Sequence, residues 1–282
     1  MSDDLTTYEE NTWCTGCGNF GIFTAIKNAI RMLEEKNIER NRIVITAGIG
    51  CHAKIFDYLD ISGVYSIHGR AIATAQGMKL ANPELYVIVF SGDGDALGEG
   101  ISHTIFAAKR NADITVIMHD NGVYGLTTGQ YTPTSKKGFV GPSTPEGSVE
   151  DPLNSLKLML VAGATFVARG YSGRIKELTE IFVEAILHKG FSFVDVLQPC
   201  VSFNDTYKLY NSIVEPLDRT VTDISEAIQI SERTDKLPTG IIYRAEKPSF
   251  HNLLLKGRVP VKDSPTREER YRHIENFLRS TE

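Results

Sequence analysis

The chain has 282 residues, 41% of them apolar and 23% charged, with a formal net charge of −5. That composition suits one α/β core with extensions, and its Lys and Arg residues form no stripe that would hold a phosphate backbone, so nucleic acid is not an expected partner. No apolar run reaches the ~18 residues of a membrane span, which argues against a membrane partner.

The N-terminus, Met1-Ser2-Asp3-Asp4, is acidic and lacks the basic-then-apolar pattern of a signal peptide. The chain therefore reads as cytoplasmic. In that compartment its four cysteines are expected as thiolate ligands or core fillers rather than disulfides. The short runs Lys136-Lys137 and Arg267-Glu268-Glu269-Arg270 read as solvated surface.

In chain order, the first helical pattern covers about Phe20–Glu35, and Arg42–Ala47 follows as a strand that stops at Gly48-Ile49-Gly50-Cys51. A helix over Arg70–Leu80 leads to a second strand, Leu85–Phe90, which ends at Ser91-Gly92-Asp93-Gly94. A helix over Gly100–Arg110 leads to a third, Ile114–Met118, which ends at His119-Asp120-Asn121-Gly122. Lys136–Pro152 is rich in Gly, Pro, Ser and Thr and reads as a long loop. Helices over Leu153–Val161 and Gly173–His188 accompany a fourth strand, Thr165–Ala168, and a fifth, Phe191–Val196.

The strand runs are almost continuously apolar, as expected where both faces of a sheet are covered. Their alternation with helices predicts a doubly wound parallel sheet, whose ligands sit beyond the carboxyl ends of the strands. From Val201 to Glu282 the periodicity weakens. This part reads as an extension in which Gly240–Tyr243 and Leu253–Leu255 pack on the main domain.

Gly92-Asp93-Gly94 after one strand and Asn121 after the next suit a metal-bound diphosphate. Glycines let the backbone approach phosphates, and Mg²⁺ asks for hard oxygen ligands from neighbouring loops. The spacing resembles the thiamine-diphosphate motif, in which a Gly-Asp-Gly is followed about one βα unit later by Asn. In that motif the third protein ligand is the carbonyl two residues past the Asn, here Val123. Asp95 and Glu99 read as residues that complement a helix N-terminus, with no acid–base role. His68-Gly69-Arg70, just before a helix, is placed to meet a phosphate or to serve as ordinary hydrogen-bonded structure.

Cys14-Thr15-Gly16-Cys17 is a C-x-x-C in a Gly-rich loop, while Cys51 and Cys200 follow the first and fifth strands. In a parallel sheet both strand ends open on the diphosphate edge. Four thiolates there suit a [4Fe–4S] cluster or structural zinc, and the plain alternative is that Cys51 and Cys200 fill the core. The wide separation of Cys51 from Cys200 favours a cluster embedded in the folded domain over a local zinc knuckle. An electron acceptor beside thiamine allows oxidation, where a thiamine enzyme without one releases aldehyde or joins carbons.

Taken together, six segments resemble the β subunits of 2-oxoacid:ferredoxin oxidoreductases. They are Trp13–Gly18, Gly48–Cys51, His68–Arg70, Ser91–Asp95, Asn121–Thr127 and Gln198–Cys200, in order over about residues 11–205. The resemblance implies that Cys14, Cys17, Cys51 and Cys200 bind [4Fe–4S], and that Asp93, Asn121 and the Val123 carbonyl hold Mg²⁺. It implies thiamine diphosphate contacts at Ile49, Gly50, Cys51, His52, His68, Gly94, Asp95, Gly125 and Leu126.

The family couples a 2-oxoacid (pyruvate, 2-oxoglutarate or related) and coenzyme A to acyl-CoA, CO₂ and reduced ferredoxin. It works as an α₂β₂ assembly in which the α subunit supplies the activating Glu, so no catalytic residue is assigned on this chain. Residues 1–200 are then expected as the thiamine-diphosphate domain, of the diphosphate-binding half, and 201–282 as an extension on that domain or on the α subunit. Relatives that accept 2-oxoglutarate or several 2-oxoacids often read Leu-Thr-Lys-Gly-Gln, whereas this chain reads Leu126-Thr127-Thr128-Gly129-Gln130. A hydroxyl supplies no charge, so a distal carboxylate would need its cation from elsewhere, such as an Arg of the α subunit. Two rivals remain: a non-oxidative thiamine decarboxylase or synthase subunit, and a non-catalytic four-cysteine metal scaffold.

Overall fold

The computed structural model describes residues 5–263 and 265–280, so Met1–Asp4 lies outside the described residues. The chain begins with α1 (Asn19–Glu35), β1 (Ile43–Ala47), α2 (Ile55–Tyr58), β2 (Gly63–Tyr65) and α3 (Ala71–Ala81). Then come β3 (Tyr86–Gly92), α4 (Ile101–Arg110), β4 (Thr115–Asp120), α5 (Ser155–Ala162) and β5 (Phe166–Tyr171). It continues through α6 (Ile175–Leu187), β6 (Ser192–Leu197), α7 (Tyr207–Ile213), β7 (Val214–Pro216) and α8 (Ile224–Ser231). The last elements are β8 (Leu237–Arg244), α9 (Phe250–Leu255) and α10 (Arg267–Arg279).

One eight-stranded sheet runs in the order β2-β1-β3-β4-β6-β5-β8-β7. The five strands expected from sequence are β1, β3, β4, β5 and β6, and with β2 they form its parallel body. β8 pairs antiparallel with β5 and β7 pairs parallel with β8, so the sheet is mixed.

The near-continuous apolar runs follow from burial of both faces. Ile43, Ile45, Ile88, Phe90, Ile117, Phe166 and Val194 face α1 and α6. Their alternates Val44, Val87, Val89, Val116, Met118, Val167 and Phe193 face α3, α4 and α5. Successive strand residues point to opposite faces, so a strand covered twice is apolar at most of its positions. α5 is closed by its own chemistry: Asn154 Oδ1 accepts from Lys157 N–H at one end, and Gly163 takes a left-handed φ of 98° at the other.

Residues past 200 complete the sheet. Gly240–Tyr243 lies within β8, where Ile241 pairs with Ala168 and Arg244 with Phe166. Leu253–Leu255 closes α9, with Leu255 buried and Leu253 and Leu254 exposed. α10 opens on a Thr266/Glu269 capping box, and its Arg267–Arg270 run is exposed as expected of a solvated face. Lys136 and Lys137 are exposed as well. No described helix is long and apolar enough to cross a membrane.

α1 positions the C-x-x-C loop that precedes it, and it does so through a glycine contact. A Cβ on Gly21 would lie 2.0 Å from the backbone carbonyl oxygen of Ser172, on the turn after β5. Backbone cannot rotate out of the way. Gly21→Ala is therefore expected to push α1 off the sheet at a cost of about 1–3 kcal/mol, read as a lower denaturant midpoint. An unchanged midpoint would show that the helix slides freely over this contact.

Candidate functional site

β1, β3, β4 and β6 run parallel and end on one edge, with Ala47 opposite Phe90, Gly92 opposite His119 and Asp120 opposite Leu197. The loops leaving β1, β2, β3 and β4 line one cleft. Ile49–His52, His68, Asp93–Asp95, Asn121, Val123, Gly125 and Leu126, the residues read as thiamine and Mg²⁺ contacts, all line it.

The Asp93 carboxylate is 2% exposed and accepts hydrogen bonds from the hydroxyls of Thr132 and Thr134, the latter at 2.6 Å. Burial pushes this carboxyl up, against the two hydroxyl bonds. Thr134 Oγ1 also lies 2.7 Å from Asp120 Oδ1. Burial, then the nearby Asp195 and Asp93, hold the Asp120 carboxyl well above the usual range. Asn121 Oδ1 accepts from Val123 N–H at 3.0 Å, and its Nδ2 donates to Gln198 Oε1 at 3.2 Å. Asn204 Nδ2 donates to the Asn121 carbonyl at 2.7 Å, which holds the β4 exit loop against the β6 exit loop.

Asp95 does more than complement a helix end. The segment Asp95–Glu99 is a π-helical turn before α4, and the buried Asp95 carboxylate is turned under the β1 loop. It accepts from Ser91 Oγ, from Gly69 N–H at 2.7 Å and from Ile49 N–H at 3.4 Å. His52 Nε2 lies 3.6 Å and His68 Nδ1 3.5 Å from it. Burial raises this carboxyl, but the imidazole of His52 beside it, with Ser91 Oγ and the Gly69 N–H, holds it below the usual carboxylate range. A Cβ on Gly48 would fall 1.9 Å from Asp95 Oδ2, so the glycine loop after β1 closes over this carboxylate. Asp95→Ala is expected to orphan several buried donors at once and destabilise the domain by about 3 kcal/mol. A thermal melt reads this directly, and an unchanged transition would mean that water replaces the carboxylate.

The four cysteines are free thiols and line a second cavity with Trp13, Lys54, Gln198 and Ser202 among its walls. Cys17 N–H donates to the Cys14 carbonyl at 2.9 Å, closing the C-x-x-C turn, which Gly16 permits with φ of 84°. Trp13 Nε1 donates to the Cys51 carbonyl at 2.6 Å. Burial pushes the Cys17 thiol to about 11 despite the Asn19 N–H, with the other three cysteines adding to the rise. Cys51 is raised by burial as well, against Lys54. Among the described residues, no three His, Cys, Asp or Glu side chains are gathered as for a single metal ion.

The two cavities share Cys51, Asn121 and Gly125 as walls. A Cβ on Gly125 would lie 3.5 Å from Cys51 Sγ and 3.7 Å from Cys200 Sγ, so any side chain there would fill the space before the sulfurs.

Several residues at this edge have roles that sequence did not assign. Thr132 and Thr134 sit in an aperiodic Thr-Pro-Thr-Ser stretch, and only the polar residues around Pro133 single it out. Tyr124 OH lies 3.3 Å from both the Gly94 carbonyl and Glu99 Oε2, and Glu99 Oε2 lies 3.1 Å from His68 Nδ1. Buried His119 pairs with Asn19 Oδ1 at 2.8 Å beneath the cleft. Burial, and then His52, hold its imidazole well below the usual range, so it is neutral. Thr128, at the tip of the turn closed by Tyr124 and Gln130, adopts a left-handed φ of 74° and is exposed.

A sheet with this edge defines the thiamine-diphosphate-binding class. The family model "Thiamine pyrophosphate enzyme, C-terminal TPP binding domain" matches residues 48–196, and the model for the C-terminal part of the pyruvate ferredoxin oxidoreductase beta subunit matches residues 200–257. The 2-oxoacid:ferredoxin oxidoreductase subunit beta of Saccharolobus solfataricus is 44% identical over 89% of this chain and 88% of its own length. The 2-oxoglutarate oxidoreductase subunit KorB of Mycobacterium tuberculosis is 45% identical over 72% of this chain and 53% of its own. A structure of 2-oxoglutarate:ferredoxin oxidoreductase from Magnetococcus marinus, with 2-oxoglutarate, coenzyme A and succinyl-CoA bound, superposes with a TM-score of 0.89. It is 34% identical and covers 97% of both chains. The chain belongs to the β subunits of the 2-oxoacid:ferredoxin oxidoreductases, and its family name makes it one subunit of an enzyme that includes an α subunit.

Proposed function

We propose that this chain, with its α partner, converts a 2-oxoacid and coenzyme A to acyl-CoA and CO₂ and sends the electrons through its own [4Fe–4S] cluster to ferredoxin. The observation that carries this reading is the shared wall of Cys51, Asn121 and Gly125 between the diphosphate cleft and the cysteine cavity. When bound, thiamine diphosphate supplies the electron sink for decarboxylation and the cluster accepts single electrons.

The residues present fit both groups. Asp93, Asn121 Oδ1 and the Val123 carbonyl are hard oxygen donors at the rim of a glycine-walled cleft, and they would hold Mg²⁺ against the diphosphate. Cys14, Cys17, Cys51 and Cys200 are four thiols around one cavity, with Gly125 leaving the space before Cys51 and Cys200 open, and they would hold the cluster.

The chain's own work is positional. Ile49–His52, His68, Gly94, Asp95, Gly125 and Leu126 wall the cleft, keep water out and seat the diphosphate. Asp95 ties the loops after β1 and β3 and the turn before α3 to one another. The Glu that activates the aminopyrimidine comes from the α subunit, in an α₂β₂ enzyme. A cation for any distal substrate carboxylate comes from outside Leu126–Gln130, since Thr128 is neutral.

The test is reconstitution. Anaerobic co-expression with the α subunit should give ferredoxin reduction that depends on both 2-oxoacid and coenzyme A, with this chain alone silent. Release of aldehyde without ferredoxin reduction would contradict the reading and leave a non-oxidative thiamine enzyme.

A further inference from the structure

The Gln198 side chain sits at the seam between the two cavities and is 1% exposed. Its backbone N–H donates to the Asp120 carbonyl at 2.9 Å, which fixes the residue at the end of β6 beside β4. A carboxamide offers two N–H donors and one oxygen acceptor, and all three are used here. Oε1 accepts from Asn121 Nδ2 at 3.2 Å, while Nε2 donates to the Pro199 carbonyl at 2.7 Å and to Cys17 Sγ at 3.5 Å. One amide thus touches a residue of the diphosphate side and a sulfur of the cysteine side. On the same loop, Ser202 Oγ donates to Cys14 Sγ at 3.2 Å.

A hydrogen bond donated to a ligating sulfur stabilises the more negative, reduced cluster more than the oxidised one, and so raises its potential. A bond from Gln198 to Asn121 Nδ2 also fixes which way the Asn121 amide is turned, leaving its oxygen for Val123 N–H and the cleft. We propose that Gln198 and Ser202 set the reduction potential of the cluster, and that Gln198 couples that potential to the metal–diphosphate side by orienting Asn121. The proposal rests on the reading that the four cysteines hold a [4Fe–4S] cluster. Both are positioning residues: neither touches the reacting atoms.

The experiment is an EPR-monitored redox titration of the anaerobic α/β complex, with iron, sulfide and thiamine content measured on the same samples. Ser202→Ala removes a donor on an exposed side chain and should keep full iron and thiamine. Its reduction constant should fall about threefold, ~28 mV for a one-electron couple. Gln198→Met removes a buried donor and should lower the constant about tenfold, ~59 mV, and weaken thiamine retention too. If Gln198→Met does not assemble, Gln198→Glu keeps an oxygen for Asn121 Nδ2 while removing the donor to Cys17. It should retain thiamine with a more negative midpoint. A wild-type midpoint in Ser202→Ala, or in an iron-replete Gln198 variant, overturns the proposal. Wild-type protein without iron overturns the cluster reading, and the proposal falls with it.

Discussion

Asp93→Ala is expected to clear the cleft of thiamine diphosphate while the iron content stays at the wild-type level. Asp93 is the one carboxylate of the Gly92-Asp93-Gly94 loop, and its hydroxyl partners Thr132 and Thr134 aim it at the rim of the cleft. Loss of a partner beyond the ligands themselves already costs ~10–100-fold in metal affinity, so loss of the ligand should exceed that. The fold should survive. Thr132 Oγ1 lies 3.2 Å from Ser135 Oγ and 3.4 Å from Thr134 Oγ1, so the loop can re-pair its hydroxyls at a cost of about 1–3 kcal/mol. Thiamine fluorescence and iron assay after desalting read both quantities, and wild-type thiamine content would remove Asp93 from the metal site.

Cys200→Ser should do the reverse: degrade or strip the cluster and leave thiamine bound. The Cys200 backbone is held by its bridge to Asn204, which does not involve the sulfur, so the loop should keep its shape. A serine hydroxyl gives up its proton far less readily than a thiol and is a harder ligand, poorly suited to iron–sulfur chemistry. Ferredoxin reduction should fall by more than ~100-fold, since a direct ligand is lost rather than an outer partner. Full iron and sulfide in this variant would refute the four-ligand assignment.

The parallel body of the sheet was legible because each of its strands is buried on both faces. Runs such as Val87–Phe90 and Val116–Met118 announce themselves without any partner, and the helix boundaries follow within a residue or two. β2, β7 and β8 were less legible. β2 is short and exposed at the sheet edge, and β8 carries Pro238 and Gly240, which weaken any strand reading. Its pairing with β5 is a tertiary fact that no local pattern encodes.

At the site, sequence singled out Asp93, Asn121, Cys51 and Cys200 by their place just past a strand end, and Cys14 and Cys17 by their C-x-x-C spacing. What it could not supply was the second layer. Thr132 and Thr134 reach Asp93 across a loop with no period, and Gln198 joins Asn121 to Cys17 only once β4 and β6 are neighbours. Asp95 does stand in the first turn of a helical segment, as its sequence position suggested; what no local pattern shows is that its carboxylate also holds the β1 loop and the turn before α3.

The proposed enzyme joins a thiamine site to an iron–sulfur site within one chain, across the wall of Cys51, Asn121 and Gly125. Iron, zinc and thiamine content, with an absorption spectrum, on the anaerobically purified α/β complex tests it most directly. About four irons and one thiamine diphosphate per β chain are expected, with visible cluster absorption that bleaches when 2-oxoacid and coenzyme A are added. One zinc and no iron, with a spectrum indifferent to substrate, would contradict it.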